Sequence, residues 1–320
     1  MKSARGALEV AVAADQAGFW GFGAVDTAPA LYQAAYPTLA WSLERTEQVR
    51  VGPMVTNPIT QHWSVHASTA RTFEELAPGR SFLGMGTGDG AVHSVGLRPA
   101  KWQTVEDTVR RVREFVPDLD VHIASAGPKG AEAAGRVATD FVSSLGFDAV
   151  ALRGHVERAR AARREARVSE PLRLWSLAPL CIVDHERDLE RVRADLRASA
   201  NSVARLTFDF TFADKNVPER WQPILRERLA AYDFGHHGVA GRSNPNGLLF
   251  EDHPEIQEYL LDRMLLIGTG EQCRDRVVSL RNEVTIDGFW FTMLPNPDQP
   301  DPIVRLRKAA DAFGEFLNAP

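Results

Sequence analysis

The chain alternates short apolar runs with longer amphipathic ones, and this rhythm limits the fold more than any single motif. Strand-like stretches are predicted at 19–26, 49–56, 81–86, 119–124, 139–145, 172–183 and 287–294. Helical spacing is predicted at 7–17, 37–47, 62–76, 101–115, 129–137, on to about 165, then 185–202, 271–282 and 302–317. Strands that alternate with helices form parallel sheets, because each helix carries the chain back to the start of the next strand. Gly18 ends the first helix and Pro78-Gly79 close the third. The rhythm breaks at 205–265, which holds LTFDFTFADKN, a Trp-Gln-Pro turn, GHHG and SNPNG, and reads as an insertion or lid over the active face. The whole is read as one (β/α)8 TIM-type barrel over 1–320, with that insertion before the last strand. An open doubly wound sheet is the alternative, but no glycine fingerprint follows the first strand. Seven strands are one short of the barrel's eight, and the chain opens on the helix that should follow strand one. Either the first strand is degenerate within Met1 to Gly6, or residues are missing ahead of it.

Composition narrows the function. The 320 residues are 44% apolar with a net charge of −5, enough for a large core and without the basic patch of a nucleic-acid binder. RVREF and RARAARREAR fit solvated helix faces. Cys181 and Cys273 lie far apart, which points to reduced thiols in a cytoplasmic protein rather than a disulfide or zinc framework. No apolar run is long enough to span a bilayer and the N-terminus lacks a signal-peptide core, so no membrane role is expected. His62 and His66 share a helix face at i, i+4, but no third ligand is placed beside them, so no metal site is expected.

The chemistry-bearing residues collect just after predicted strand ends, where α/β proteins place their sites. SFLGMGTGDGAVHSVGLRPA, from Ser81, carries glycines at 84, 86, 88 and 90, followed by Asp89 and His93. Glycine lets a flat ring or a phosphate tail approach a strand end without a Cβ in the way. Ser125, Ala126, Gly127, Pro128 and Lys129 open a helix, whose free amides and dipole favour an anion, with Lys129 adding charge. Thr56 and Asn57 precede a proline, a pattern that also fits a simple turn and helix cap. His236-His237 sit between glycines, either as part of a mobile lid or as a solvated turn. Trp20, Trp63, Trp175 and Trp290 fall at element ends, as core or as aromatic walls.

Taken together, GFGAVD, VGPMVTNPITQHWSVHAS, GMGTGDGAVHSVG and HIASAGPKGAEAAGRVATD resemble the luciferase-like flavin- and F420-dependent oxidoreductases. That family includes bacterial luciferase, alkane and alkanesulfonate monooxygenases and methylenetetrahydromethanopterin reductase. The resemblance covers about 7–150, with 286–294 as the last barrel strand. It implies a ring lying across the barrel mouth against Val55, Thr56, Asn57, Gly86, Thr87, Gly88 and Asp89. A non-proline cis peptide is implied near Met54-Val55. The phosphate tail would lie on Ser125, Ala126, Gly127 and Lys129. Asp26 would face the ring or substrate. Thr27 follows it where several relatives carry a histidine, so an acid or base must come from elsewhere, with His93 and His62 as candidates. The implied activity is an FMNH2-dependent monooxygenase that takes reduced FMN from a separate flavin reductase and uses O2 to oxygenate a small organic substrate. The alternatives are F420-dependent hydride transfer, or a flavin-binding protein without turnover. The resemblance also implies a homo-oligomer, dimer or tetramer.

Overall fold

The structure is a computed structural model that describes residues 3–27, 33–237, 239 and 241–317. The strands are β1 (Gly21–Ala24), β2 (Arg50–Pro53), β3 (Phe82–Met85), β4 (Asp120–Ser125), β5 (Asp140–Ser143), β6 (Arg173–Ile182), β7 (Leu266–Gly268) and β8 (Gly288–Met293). The first helices are α1 (Ala4–Gln16), α2 (Ala35–Glu44), α3 (Trp63–Leu76), α4 (Asp89–His93), α5 (Trp102–Arg113), α6 (Pro128–Val137) and α7 (Ala149–Glu165). They are followed by α8 (Leu189–Asp195), α9 (Arg197–Phe208), α10 (Gln222–Ala230), α11 (Pro254–Met264), α12 (Gly270–Glu283) and α13 (Pro302–Leu317).

Every strand pairing is parallel. β1 pairs with β2, and β3, β4, β5 and β6 follow one another. Single bridges, Val51 to Ser81 and Thr56 to Met85, carry the wall from β2 to β3. Glycine makes that junction close: a Cβ on Gly52 would stand 2.1 Å from the Phe82 carbonyl, and one on Gly84 2.1 Å from that of Pro53. Trp175 and Ser176 of β6 pair with both β5 and β8, and Leu180 with both β7 and β8. β8 therefore lies on one side of β6, with β5 and the short β7 sharing the other.

The wall does not close by hydrogen bonds between β1 and β8. A cavity of about 360 Å³ runs along both strands, bounded outside by α1 and α13 and inside by Trp290. Of the two alternatives for the first strand, the one within Met1 to Gly6 meets no strand in its described residues, 3–6. Ser3 caps α1, its hydroxyl accepting from the Gly6 amide at 3.0 Å, so Ala4–Gly6 are already helix. Residues 1–2 lie outside the described residues.

The segment read as an irregular insertion is largely helical. The single helix expected at 185–202 is two, α8 and α9, meeting at Leu196, and α9 runs through Phe208. With α10 and α11 it builds a core of its own around Phe208, Leu225, Phe250 and Leu260. This unit is tied to the loop after β5, where Thr207 Oγ1 donates to the Ser144 carbonyl (3.0 Å) and the Phe147 amide to that of Arg263 (2.7 Å). It therefore sits on the strand-end side of the barrel. β7 and α4 are elements the sequence pattern did not announce. No helix of the described residues is long and apolar enough to cross a membrane, and both cysteines are free and buried.

Candidate active site

Asp26 follows β1 and is almost closed to water, at 8% exposure. Two neutral side chains donate to its Oδ2, the Thr56 hydroxyl at 2.6 Å and the Gln61 amide at 2.8 Å. Its own amide donates to the Val55 carbonyl at 3.3 Å. The Met54-Val55 peptide is cis, at the place the sequence indicated. Thr56 straps this bulge to β3: its amide donates to Gly84 and its carbonyl accepts from Gly86. Behind the pair lies His66, 1% exposed. Its Nδ1 meets the Tyr36 hydroxyl at 2.5 Å and its Nε2 the Asn57 carbonyl at 3.2 Å. A carbonyl only accepts, so Nε2 carries the proton and Nδ1 takes one from Tyr36. Burial pushes His66 below the ordinary imidazole range, against the pull of the Asn57 carbonyl and Asp26, and raises the Tyr36 hydroxyl.

Asn57 is spent locally. Its Oδ1 accepts from the Ile59 and Thr60 amides and its Nδ2 donates to Thr60 Oγ1, an Asx turn that fixes the loop into α3. His62, expected as a candidate acid or base, is the exposed N-cap of α3, with Nδ1 on Ser64 Oγ at 2.8 Å. Val55 is half-buried beside the bulge.

The glycine loop after β3 turns at Gly88, which has φ +90° and whose Cβ would stand 2.7 Å from the Asn57 side chain. Only glycine meets both conditions. Gly86 is buried and Thr87 half-buried, the Thr87 carbonyl accepting from the Ala100 amide. Asp89 starts α4 and pairs at 2.6 Å with Arg205 of α9, a buried guanidinium that also lies 4.4 Å from the Phe234 ring. Asp89 Oδ1 is buried with no hydrogen bond; His93 Nδ1 stands 3.4 Å away and bonds the Asp89 carbonyl instead. The His93 ring faces Phe234 at 5.8 Å. His237 bonds Tyr232 nearby (2.7 Å), while His236 bonds Asp233. The geometry thus joins Asp26, Thr56 and Gln61 in one group, and ties Asp89 and His93 to the helical insertion. Among the described hydrogen bonds, neither His62 nor His93 reaches Asp26.

At the start of α6 the Ser125 hydroxyl accepts from the Gly127 amide (3.0 Å) and donates to the Gly127 carbonyl (3.1 Å). Ser125 and the Gly127 amide therefore shape the loop. The same carbonyl accepts from His155 Nε2 at 3.0 Å, and Ser143 Oγ meets His155 Nδ1 at 2.7 Å. Burial pushes His155 down to about 4, so it is neutral at pH 7 and holds this bond as a donor. Pro128 occupies the first helical position, Ala126 is half-buried and Lys129 is exposed. A Cβ on Gly127 would meet no atom within 4 Å. Pro128 has no N–H and the Gly130 and Ala131 amides donate to the Gly127 carbonyl, so the open face beside Gly127 and the amide and side chain of Lys129 are what suit an anionic tail.

Below the mouth the barrel is filled. Trp20, Trp175 and Trp290 pack with Phe82 and His122, ring centroids 4.6–6.3 Å apart, while Trp63 lies outside, stacked on Phe115. Three of the four tryptophans are therefore barrel core. Asp140 opens β5 with no exposure and is held by Arg173 through both carboxylate oxygens (2.7 Å each), by Trp175 Nε1 (2.6 Å) and by Thr139 (2.7 Å).

Sequence reasoning did not find Gln61, Tyr36, Arg205 or His155. Gln61 lies within a motif that was read but was given no role there, whereas Arg205 lies in a segment with no motif and reaches Asp89 across 116 residues.

The chain was compared with known proteins. The sequence profile of the luciferase-like monooxygenases matches residues 2–119 and 116–287. A 5,10-methylenetetrahydromethanopterin reductase of Methanolobus tindarius is 25% identical over 130 residues, 32% of this chain and 39% of that protein. An F420-dependent glucose-6-phosphate dehydrogenase of Kribbella flavida is 28% identical over 143 residues, 34% of this chain and 42% of that protein. Among solved structures, the F420-dependent tetrahydromethanopterin reductase of Methanopyrus kandleri superposes with a TM-score of 0.76 at 14% identity, covering 98% of this chain and 96% of that one. Parallel strands, a mouth built from their ends and a profile that spans most of the sequence make this TIM-type barrel a member of the luciferase-like monooxygenase family, an oxidoreductase family.

Proposed function

We propose that the protein is an F420-dependent oxidoreductase that passes a hydride between the deazaflavin and a small organic substrate at the barrel mouth. One observation carries this reading. Both curated relatives above match by sequence, one is named for F420 and the other is a tetrahydromethanopterin reductase, the class whose F420-dependent member gives the structural match. The mouth fits such a group. The loop at Gly88 leaves no room for a Cβ, whereas Gly127 opens onto space beside the amide and side chain of Lys129. F420, when bound, supplies the hydride chemistry, and the protein positions and shields it. Asp26 supplies a carboxylate held by two neutral donors, placed to take or give the proton that accompanies hydride transfer.

A second reading keeps the same fold. The family profile is that of luciferase-like monooxygenases, and an FMNH2-dependent oxygenation would draw on O2 and a separate flavin reductase. The two readings part on cofactor choice. An anaerobic titration of tryptophan fluorescence with reduced F420 and, in parallel, reduced FMN is expected to show F420 bound about tenfold more tightly or better, about 1.4 kcal/mol. Preference for reduced FMN, followed by substrate-dependent O2 uptake, would overturn the F420 reading in favour of the second.

A further inference from the structure

Both hydrogen bonds to the Asp26 side chain fall on one oxygen. The Thr56 hydroxyl (2.6 Å) and the Gln61 amide (2.8 Å) donate to Oδ2, and among the described residues no group donates to Oδ1. A carboxylate oxygen has two lone-pair sites, so both of those on Oδ2 are taken and both on Oδ1 are open. Thr56 supplies its bond from a backbone strapped to β3 through Gly84 and Gly86. The other bond comes from Gln61, a long side chain with much rotamer freedom to lose. The backbone that carries Gln61 is fixed on both sides. Before it, Asn57 Oδ1 takes the Ile59 and Thr60 amides, and His66 Nε2 holds the Asn57 carbonyl. After it, His62 caps α3. We propose that Gln61 is a positioning residue that, with Thr56, saturates Oδ2 and leaves Oδ1 as the atom at which Asp26 exchanges a proton with substrate. This role rests on the reading of Asp26 as the acid or base of the site.

The proton transfer balances between two partners. The substrate's bond to the proton breaks as an O–H bond forms at Oδ1, and the electron pair of the broken bond stays with the substrate. Asp26 ends as a neutral carboxylic acid. Oδ2, now a carbonyl oxygen, still accepts from Thr56 and Gln61, so neither hydrogen bond has to break during the step. In the opposite direction the same bond at Oδ1 is the one that opens. Without the Gln61 amide, Oδ2 regains an open lone pair beside Thr56. The proton can then settle on the oxygen that Thr56 holds, away from the open side of the carboxylate. Gln61 keeps it off that oxygen and acts only through Asp26.

Spectroscopy of the ligand-free protein tests this without cofactor or substrate. In nitrogen-15 NMR one proton of the Gln61 side-chain amide is expected downfield and slow to exchange, and Asp26→Ala should return both to free-amide positions. In infrared difference spectra of carbon-13 aspartate protein, wild type minus Asp26→Asn, two donors on one oxygen should hold the two carboxylate stretches of Asp26 wide apart. Gln61→Met, which keeps the length and loses the donor, should narrow that separation. As acid replaces the carboxylate bands by an acid carbonyl band, the downfield Gln61 proton should persist, because Oδ2 still accepts. Its collapse as that band appears would put the proton on Oδ2 and overturn the proposal. So would Gln61 signals indifferent to Asp26→Ala, or a separation that Gln61→Met leaves unchanged. Should Gln61→Met fail to fold, Gln61→Glu decides. Its introduced carboxyl donates to Oδ2 when protonated and not when ionised, so the separation should narrow as pH rises, and a separation independent of pH overturns the role. Loss of these signatures with F420 binding intact would sink the Gln61 role alone. Intact signatures with no F420 binding would sink the cofactor reading alone.

Discussion

Asp140 and Asp26 are both nearly sealed from water, at opposite ends of the same barrel, and their partners differ in kind. At the base, burial works to raise the Asp140 carboxyl, but the facing His122, the two-pronged Arg173 and Thr139 together hold it below the ordinary carboxylate range. Arg173 also pairs with Asp120 at 3.0 Å, and Arg50 with Asp120, so the base is a network of fixed charges over Trp20. At the mouth, Asp26 is given an amide and a hydroxyl and no cation within ion-pair range among the described residues. A cation pairs a carboxylate's charge, whereas neutral donors orient it without neutralising it. The barrel thus surrounds its buried base carboxylate with charged partners and its buried mouth carboxylate with neutral ones, the arrangement expected if Asp26 has the proposed role.

Asp140→Ala should break the comparison most forcefully. Removing one partner of a buried pair typically costs about 3–5 kcal/mol, and the partly exposed Arg173 puts this site toward the lower figure. Urea unfolding measures it; a loss below about 1 kcal/mol would place Asp140 with ordinary surface pairs. Asp26→Asn should do the reverse. It keeps two hydrogen-bond acceptor and donor positions in place, so the unfolding midpoint is expected to stay near the wild-type value. Turnover should fall by about 100-fold or more, the usual contribution of a positioned acid or base. Wild-type turnover in the variant would remove Asp26 from the proposed chemistry.

His122 gives a smaller and pH-dependent contrast. It is wholly buried, its Nε2 stands 3.4 Å from Asp140 Oδ2, and neither ring nitrogen makes a hydrogen bond. Burial, outweighing the pull of Asp140, pushes it down to about 4 from 6.5. The unfolded chain therefore binds the proton first as pH falls, so stability present above about pH 6.5 is lost progressively toward pH 4. Each unit of separation is worth about 1.4 kcal/mol. His122→Phe removes the titrating group and two unsatisfied nitrogens while keeping a ring beside Phe82 and Trp20. Unfolding midpoints at pH 7 should hold or rise, and the decline between pH 6.5 and 4 should become shallower. An unchanged decline would assign the acid sensitivity to other groups, His155 first among them.

What the sequence disclosed follows the range of the forces involved. Strand and helix periodicity is local, and the parallel architecture was legible from it. The Asn57-Pro58 turn was legible as a turn, and the Asn57 side chain caps it through the Ile59 and Thr60 amides. Short buried pieces were not legible: β7 is three residues, Leu266–Gly268, with too little pattern to separate it from an insertion. α4 hides behind glycines that read as loop. In the site, Asp26 and Thr56 were found because each ends a strand. Gln61, Tyr36 and Arg205 were not, because what selects them is a partner 35, 30 and 116 residues away, respectively. Asp140 was passed over for the same reason: its strand shows in the sequence, and Arg173, 33 residues on, does not show as its counter-ion.

Lys129 offers the finest test, because it asks whether the anion end of the mouth behaves like its carboxylate end. Lys129 is exposed, and the loop beside it is built by Ser125, Gly127 and His155 without its help. Replacing it by alanine should therefore leave folding unchanged and cost only a screened, long-range attraction, about 0.3–1 kcal/mol or roughly two- to fivefold in cofactor Kd at low salt. The loss should fade as ionic strength rises and the Debye length falls below about 10 Å. A salt-independent loss would mean direct, desolvated contact with the tail. No loss at any salt would leave the Lys129 amide and the open face at Gly127 as the whole of the proposed anion site, and would make the mouth selective through neutral donors at both of its ends.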